Sequence, residues 1–460
     1  MQNELKISGI HYQALRDHLF PGDGKEAVAI ACCGRNTFDN KNFLLVHKLT
    51  LIPYDHCFVR ESDQVNWSTS LIEDLLIESE KKGWAIVKFH SHPSGFRDFS
   101  QTDCISDREL FSSVYGWIDG EGPHASVVML PDGFLFGRVI TSNLKFIQID
   151  RISVIGDDLQ FFHKHFESDI REFERRTAQT FGAGTTKLLN TLKIGVVGCS
   201  GTGSPVVEQI VRLGVGEIVL VDPDVVEEKN LNRILNTTKE DAKLEKKKVE
   251  VLKDAIIKMD LGTKVKAFSE NIYDNKDVIY ELNSCDLLFG CVDSVDGRHL
   301  LNQISTFYLI PYLDLGVKLI ADGKGGIDQI CGTIHYLQAG GGSLQSRGVY
   351  NSEELRAASM YRTSIEDYEE QKKSGYITNV NVDSPAVISV NMQIASMAVN
   401  EFLARIHPFR HDDSREFAVT RLSLSDGYIQ YEEEGDPDEY LLKHIGKGTI
   451  QPLLNMPELS

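Results

Sequence analysis

Residues 192–224, LKIGVVGCSGTGSPVVEQIVRLGVGEIVLVDPD, pass from an apolar run through a glycine-rich turn into a helical pattern and out to a second apolar run. "LKIGVV" and "EIVLV" are rich in β-branched residues without alternation, the mark of strands buried on both faces. Between them "SPVVEQIVRL" repeats its apolar residues at helical spacing. Strand, turn, helix and strand in this order form the unit of a parallel doubly wound sheet, so the stretch predicts a Rossmann-like α/β domain. The turn sets Gly198, Gly201 and Gly203 where backbone N–H groups meet phosphates at a helix amino terminus, whose dipole favours negative charge. Asp222, at the tip of the second strand, suits a ribose hydroxyl. The loop is not the G-x-G-x-x-G of most NAD enzymes, because Val206 stands where counting from Gly201 requires the third glycine.

A chain of 460 residues exceeds what one core supports, so a second domain is expected. Residues 25–60 and 84–90 hold short β-rich runs around the helical "TSLIEDLLIESEKKG", and more strands follow in "HASVVML" and "GFLFGRVI". This reading assigns an α/β domain to residues 1–155, the doubly wound domain to 156–445 and a carboxyl-terminal tail to 446–460. Composition is ordinary for a globular protein, with 42% hydrophobic and 25% charged residues, and no apolar run is long enough to span a bilayer. "MQNELKISGI" has no secretory pattern, so the cytoplasm is expected. A formal net charge of −19 and dispersed basic residues argue against nucleic acid as a partner. The eight cysteines include no C-x-x-C pair and read as reduced thiols.

Upstream, residues 90–103 read HSHPSGFRDFSQTD directly after the apolar "WAIVKF". In a strand ending at residue 90, His90 and His92 project from one face, two imidazole ligands for a metal. "SQTD" reads as a helix start capped by Ser100, with Asp103 on the first turn; alone it is a plain capping box, but it returns one carboxylate to the histidines. Three protein ligands leave a fourth tetrahedral position for water, the arrangement of a hydrolytic zinc centre.

H-x-H-P, six residues and S-x-x-D together resemble the signature of the JAB/MPN (JAMM) zinc metalloproteases. The resemblance implies hydrolysis of a peptide or isopeptide bond after the terminal glycines of a ubiquitin-like protein, with His90, His92 and Asp103 holding Zn²⁺. It further implies that Ser100 donates to the developing oxyanion and that Glu26, in "KEAVAIACCGR", exchanges protons with the attacking water and the leaving amine.

The second half resembles the ThiF family, the ubiquitin-activating and molybdopterin-synthase-adenylating enzymes, over residues 171 to about 405. Its glycine loop, D-x-D tip and N-L-x-R run appear here in order, with Ser200 where the loop usually has glycine. The resemblance implies that Asp222 binds ribose while Asn230, Arg233 and Lys248 contact the phosphates of ATP; Lys246 and Lys247 are alternatives to Lys248. Asp293 takes the place of the Mg²⁺-binding aspartate, with Asp296 as the alternative. "REFERRTAQTFG" resembles the family's leading helix, so Arg176 reaches the phosphates of a partner subunit, which implies a homodimer through this domain. The implied product is an acyl-adenylate.

No cysteine follows Cys331, which lies in the strand-like "IDQICGTIHYL", so the crossover cysteine of ubiquitin-activating enzymes is missing; "SLQSRG" replaces a zinc-binding C-x-x-C pair. The expected function is therefore bifunctional: a zinc (iso)peptidase and a MgATP-dependent adenylyltransferase of a bacterial ubiquitin-like system, both acting on a modifier with a carboxyl-terminal glycine, with a conjugating enzyme as a further partner. The alternative is processing and activation of a sulfur-carrier protein for thiocarboxylate formation. A non-enzymatic binding module would require both ligand sets to be inert.

Overall fold

The computed structural model describes residues 1–163, 169–322, 324–373 and 387–459. Among them, two large sheets dominate. The first orders nine strands as Leu159–His163, Arg151–Ile155, Gln2–Ser8, Lys41–Leu51, Val28–Phe38, Ala85–Ser91, His124–Met129, Leu135–Ile140 and Phe146–Gln148. Period-two alternation explains how it is covered: Val28, Ile30 and Cys32 join one apolar cluster, while Ala29, Ala31 and Cys33 join another. Helix Gly9–Leu19 lies over the second face through Tyr12, Leu15 and Leu19. The first face is covered by helices Glu73–Lys82 and Gln101–Trp117 through Leu76, Leu110, Phe111 and Val114.

The second sheet orders eight strands as Lys264–Phe268, Glu217–Val221, Lys193–Val197, Leu287–Gly290, Tyr312–Ala321, Ile327–Leu337, Val419–Ser423 and Tyr428–Glu432. Its first five strands run parallel, as the buried β-branched runs predict, and the last three extend it antiparallel. Strand order reverses between Lys193–Val197 and Leu287–Gly290, so the loops at their carboxyl ends flank the crevice where open α/β sheets bind ligands.

The division expected at residue 155 is corrected by the edge strand Leu159–His163, which pairs antiparallel with Arg151–Ile155 and carries the first sheet further along the chain. Residues 446–459 are likewise not a free tail. Leu453, Leu454 and Leu459 sit in the core of the second sheet, which also takes in Phe43, Leu45, Ile155 and Leu159 from the first. Gly34 N–H donates to the Gly446 carbonyl at 3.2 Å, and Thr449 N–H donates to the Arg35 carbonyl at 2.9 Å. Polar groups cross the same boundary: buried Arg151 pairs with Glu4 of the first sheet and with Asp286 of the second. Lys6 Nζ donates to the Cys285 carbonyl at 3.0 Å, and Arg405 Nη1 donates to that of Asp157 at 2.7 Å. No helix among the described residues is long and apolar enough to cross a membrane.

Candidate functional site

Strand Ala85–Ser91 is buried along its whole length and delivers His90 at its end, with His92 just beyond. His92 N–H donates to the Met129 carbonyl at 3.0 Å, which continues the ladder with the neighbouring strand, so both imidazoles leave on one face with ring centroids 5.1 Å apart. Helix Gln101–Trp117 opens with the reciprocal cap read from "SQTD": Asp103 N–H donates to Ser100 Oγ at 3.0 Å, and Ser100 N–H donates to Asp103 Oδ2 at 2.6 Å. The same carboxylate lies 3.0 Å (Oδ1) from His90 Nε2 and 3.3 Å (Oδ2) from His92 Nε2. Capping and ligation are therefore not alternatives, because one side chain has the oxygens for both. Among the described residues, His90, His92 and Asp103 form one buried group whose ligand atoms all lie within 4.8 Å of one another.

Two observations show that this donor set fits a metal. His92 Nδ1 donates to the Phe96 carbonyl at 2.9 Å, which leaves the Nε2 lone pair facing the cluster, as outer hydrogen bonds do for ligating histidines. His90 is buried and neither of its ring nitrogens has a hydrogen-bond partner, although Nε2 lies 3.0 Å from Asp103 Oδ1; a metal would satisfy these atoms. Burial and the nearby Lys88 ammonium lower the pKa of His90, favouring the neutral, ligating imidazole. Burial works to protonate Asp103, but the two imidazoles prevail and hold it well below the usual carboxylate range. Phe99 and Phe136 wall the cluster, 6.3 Å between centroids from His90 and His92 respectively.

Glu26 arrives from the opposing strand. Ala27 N–H donates to Ser91 Oγ at 2.9 Å and Ser91 N–H donates to the Ala27 carbonyl at 3.1 Å, so the preceding residue, Glu26, lies beside His92. Its pKa is raised to about 7, chiefly by burial; His92 opposes the shift and the Asp103 charge adds to it. A carboxylate poised near neutrality is matched to proton transfer.

The second crevice is built from backbone. Gly198 has φ of 89°, and a Cβ there would strike the Cys291 carbonyl. A Cβ on Gly203 would fall inside the Gly198 carbonyl oxygen, and one on Gly201 would collide with Asn391 Nδ2 and stand 3.1 Å from Arg233 Cδ. None of the three glycine positions has room for a side chain, which keeps this backbone open to close approach, as a phosphate cradle requires. Asp222 faces it: Oδ2 accepts from Cys199 N–H at 2.7 Å and Oδ1 from Asp224 N–H at 3.0 Å. Burial raises its pKa and the Lys248 charge opposes this. Lys248 Nζ lies 2.6 Å from Asp224 Oδ2 and 3.6 Å from Asp222 Oδ1. The alternative lysines are engaged elsewhere, Lys246 with Asp241 at 2.7 Å and Lys247 with the Pro223 carbonyl at 2.7 Å.

Asn230 is buried and accepts from Glu227 N–H at 3.0 Å, with its amide N–H groups left as donors. Asp293 is exposed just past strand Leu287–Gly290. Asp296 instead accepts from Arg362 Nε at 3.1 Å and from Gly297 N–H at 2.9 Å, so Asp293 is the more available carboxylate. Arg176 stands exposed in helix Arg175–Leu189, which breaks its geometry at Gly182, away from the cradle's own contacts.

Asn391, from helix Ile388–Ile406, packs against the cradle and carried no local signal in the sequence, since one asparagine in an apolar helical pattern reads as a surface residue. Helices Ser352–Thr363 and Ile365–Lys373 precede residues 374–386, which lie outside the described residues. Cys331 lies half-buried in strand Ile327–Leu337, as expected.

Comparison with known proteins bears on the second half. The adenylyltransferase and sulfurtransferase UBA4 of Meyerozyma guilliermondii is 31% identical over 161 residues, covering 35% of this chain and 37% of that protein. Ubiquitin-like modifier-activating enzyme 5 of Caenorhabditis briggsae is 29% identical over 157 residues, covering 32% of this chain and 34% of that one. The chain thus spans about a third of the length of these curated relatives. Among solved structures, E. coli MccB with ATP is 19% identical, covering 59% of this chain and 74% of that one at a TM-score of 0.43. The model of the ThiF family matches residues 173–425, more than half of the chain. That span contains the glycine cradle, the Asp222 tip, the Asn230–Arg233 run and Asp293, and the protein belongs to the ThiF family.

Proposed function

We propose that the second half is a MgATP-dependent adenylyltransferase that activates the carboxyl-terminal glycine of a small sulfur-carrier protein. The observation that carries this is the side-chain-free cradle of Gly198, Gly201 and Gly203 facing Asp222 and Lys248 within the ThiF match. The N–H groups of Gly201 and Gly203 receive phosphate, that of Gly198 being already given to the Val221 carbonyl at 2.8 Å; Asp222 accepts a ribose hydroxyl, Asn230 donates to the phosphates, and Arg233 and Lys248 neutralise charge as the carrier carboxylate attacks the α-phosphate and pyrophosphate leaves. Mg²⁺, held through Asp293, supplies further neutralisation of the phosphates. The names of the relatives, adenylyltransferases with sulfurtransferases and a ubiquitin-like modifier-activating enzyme, support this substrate class. The test is pyrophosphate exchange and intact mass of a glycine-terminated carrier incubated with MgATP. Adenylated carrier without a protein adduct is expected; a thiol-labile adduct would move the protein to a conjugating pathway, and no exchange would sink the reading.

A second reading rests on the His90–His92–Asp103 group: the first half is a zinc hydrolase of the JAMM type that trims or releases the same carrier. Bound zinc supplies a Lewis acid and a water ionised near neutral pH. Glu26 accepts a proton and returns it to the departing amine, and the Ser100 hydroxyl, which keeps its own proton while accepting from Asp103 N–H, donates to the developing oxyanion. Zinc analysis of the purified chain, and cleavage of a carrier extended beyond its glycine, decide this reading separately from adenylation.

A further inference from the structure

Behind the ligand cluster lies a buried group of charges that neither chemistry uses. Asp107 is 0% exposed, in the middle of helix Gln101–Trp117. It accepts from Lys88 Nζ at 2.8 Å and from Arg138 at 3.1 Å (Nε) and 2.6 Å (Nη2). Lys88 and Arg138 are themselves buried, in strands Ala85–Ser91 and Leu135–Ile140. The spacing of these residues is informative. Asp107 follows the ligand Asp103 by four residues, so both occupy one helix face; Lys88 precedes the ligand His90 by two, so both occupy one strand face. One carboxylate thus ties the helix that presents the carboxylate ligand to the strand that presents the imidazole ligands. The tie extends to the strand beyond through Arg138, whose guanidinium sits 3.8 Å from the ring centroids of both Phe99 and Phe146. Arg138 Nη1 also reaches Cys104 Sγ at 3.1 Å, on the residue next to Asp103.

Burying three charges is a poor route to stability, because apolar side chains of equal volume commonly do as well or better; the best-attested use of such a group is to fix register. We infer that Asp107 is a positioning residue for the metal site: by holding Lys88 and Arg138 together it sets the distance between Asp103 and the pair His90 and His92. The inference rests on reading that cluster as a zinc site.

The experiment measures zinc affinity of the full-length chain by competition with a chromophoric chelator, and the visible spectrum of the cobalt-substituted protein. Asp107→Asn keeps the shape and removes the charge; it should weaken zinc binding about 10- to 100-fold, the range seen when outer partners of metal ligands are changed. The cobalt bands should shift as the ligand geometry relaxes, while ATP binding by the second half stays intact. Unchanged affinity and cobalt spectrum in a variant that is folded by its ATP binding would overturn the inference, even if its melting temperature fell, since that is all a purely structural charge group predicts. Should Asp107→Asn fail to fold, Arg138→Gln, which leaves the Lys88–Asp107 pair in place, carries the test: a smaller loss of zinc affinity is expected, and none would overturn it. Absence of zinc binding by the unaltered protein is a different result, because it removes the zinc reading itself.

Discussion

The two candidate sites are prepared to different degrees. In the first sheet every donor is buried and already converges: His90, His92 and Asp103 are fixed by a strand, a capped helix and an outer hydrogen bond, and Glu26 lies buried beside them. In the second sheet the backbone cradle, the Asp222–Lys248 corner and buried Asn230 are set, whereas Asp293 and Arg176 stand in solvent. The chemistry accounts for this. A metal ion repays a rigid donor set at once, and misplaced ligands cost affinity directly. A polyanionic nucleotide and a carrier tail must enter and leave at every turnover, so the groups that neutralise them are better supplied from mobile surface side chains, or from a partner, than from a closed pocket.

The sharpest break in this contrast comes from the rigid parts of each site. Gly203→Ala drives a methyl group into the Gly198 carbonyl, and since about 1 Å of misplacement already costs near 100-fold, pyrophosphate exchange should fall by at least about that factor with zinc content unchanged. His92→Ala is its mirror: zinc should be lost from the purified protein while exchange persists. Loss of both activities in either variant would show that the halves do not act independently.

Stability offers a second, smaller contrast, between the sites and the seam that joins the halves. Arg151→Ala leaves buried Asp286 without its ion-pair partner and Glu4 with Lys41 alone, at 3.2 Å, a loss of about 3–5 kcal/mol, read as a lowered melting temperature near neutral pH. Burial pushes both carboxylates toward protonation, but the Arg151 charge prevails and their pKa values stay below the usual range. Their contribution is therefore complete above the ordinary carboxylate pKa of about 4 and fades as pH falls through the lowered folded values. Acidification should accordingly narrow the gap between Arg151→Ala and the unaltered protein; a gap independent of pH would mean that the pairs contribute through packing alone.

This seam also marks where the sequence stopped being legible. H-x-H, S-x-x-D and the glycine turn could be read because each needs its residues at short spacing on one element, and the parallel core could be read because strands covered on both faces are apolar without alternation. Arg151, Glu4 and Asp286 are far apart in sequence, and each alone reads as a surface charge; only the fold makes them one group. The same holds for Lys88, Asp107 and Arg138. Residues 446–459 read as a tail because glycines and prolines interrupt any period, yet Gly446 and Gly448 are what let this segment press against the backbone of Val46 and Arg35. The edge strand Leu159–His163 is hard to read because a charged segment follows it directly in the sequence.

The smallest expected signal separates the two sites most finely, because it asks whether the adenylation site is complete within one chain. Arg176 is exposed and belongs to no contact of the cradle, in contrast to Asp293, which leaves the strand beside it. If the site borrows Arg176 from a second copy, Arg176→Ala and Asp293→Ala are each inactive alone. Mixed in equal amounts and allowed to exchange subunits, they form mixed dimers with one intact and one doubly altered site, so roughly a quarter of the original exchange activity should return, as two-fold symmetry dictates. If Arg176 serves its own chain, no site in any mixture is intact and nothing returns. Zinc binding should stay constant throughout the mixing series, because each donor in the first sheet comes from a single chain.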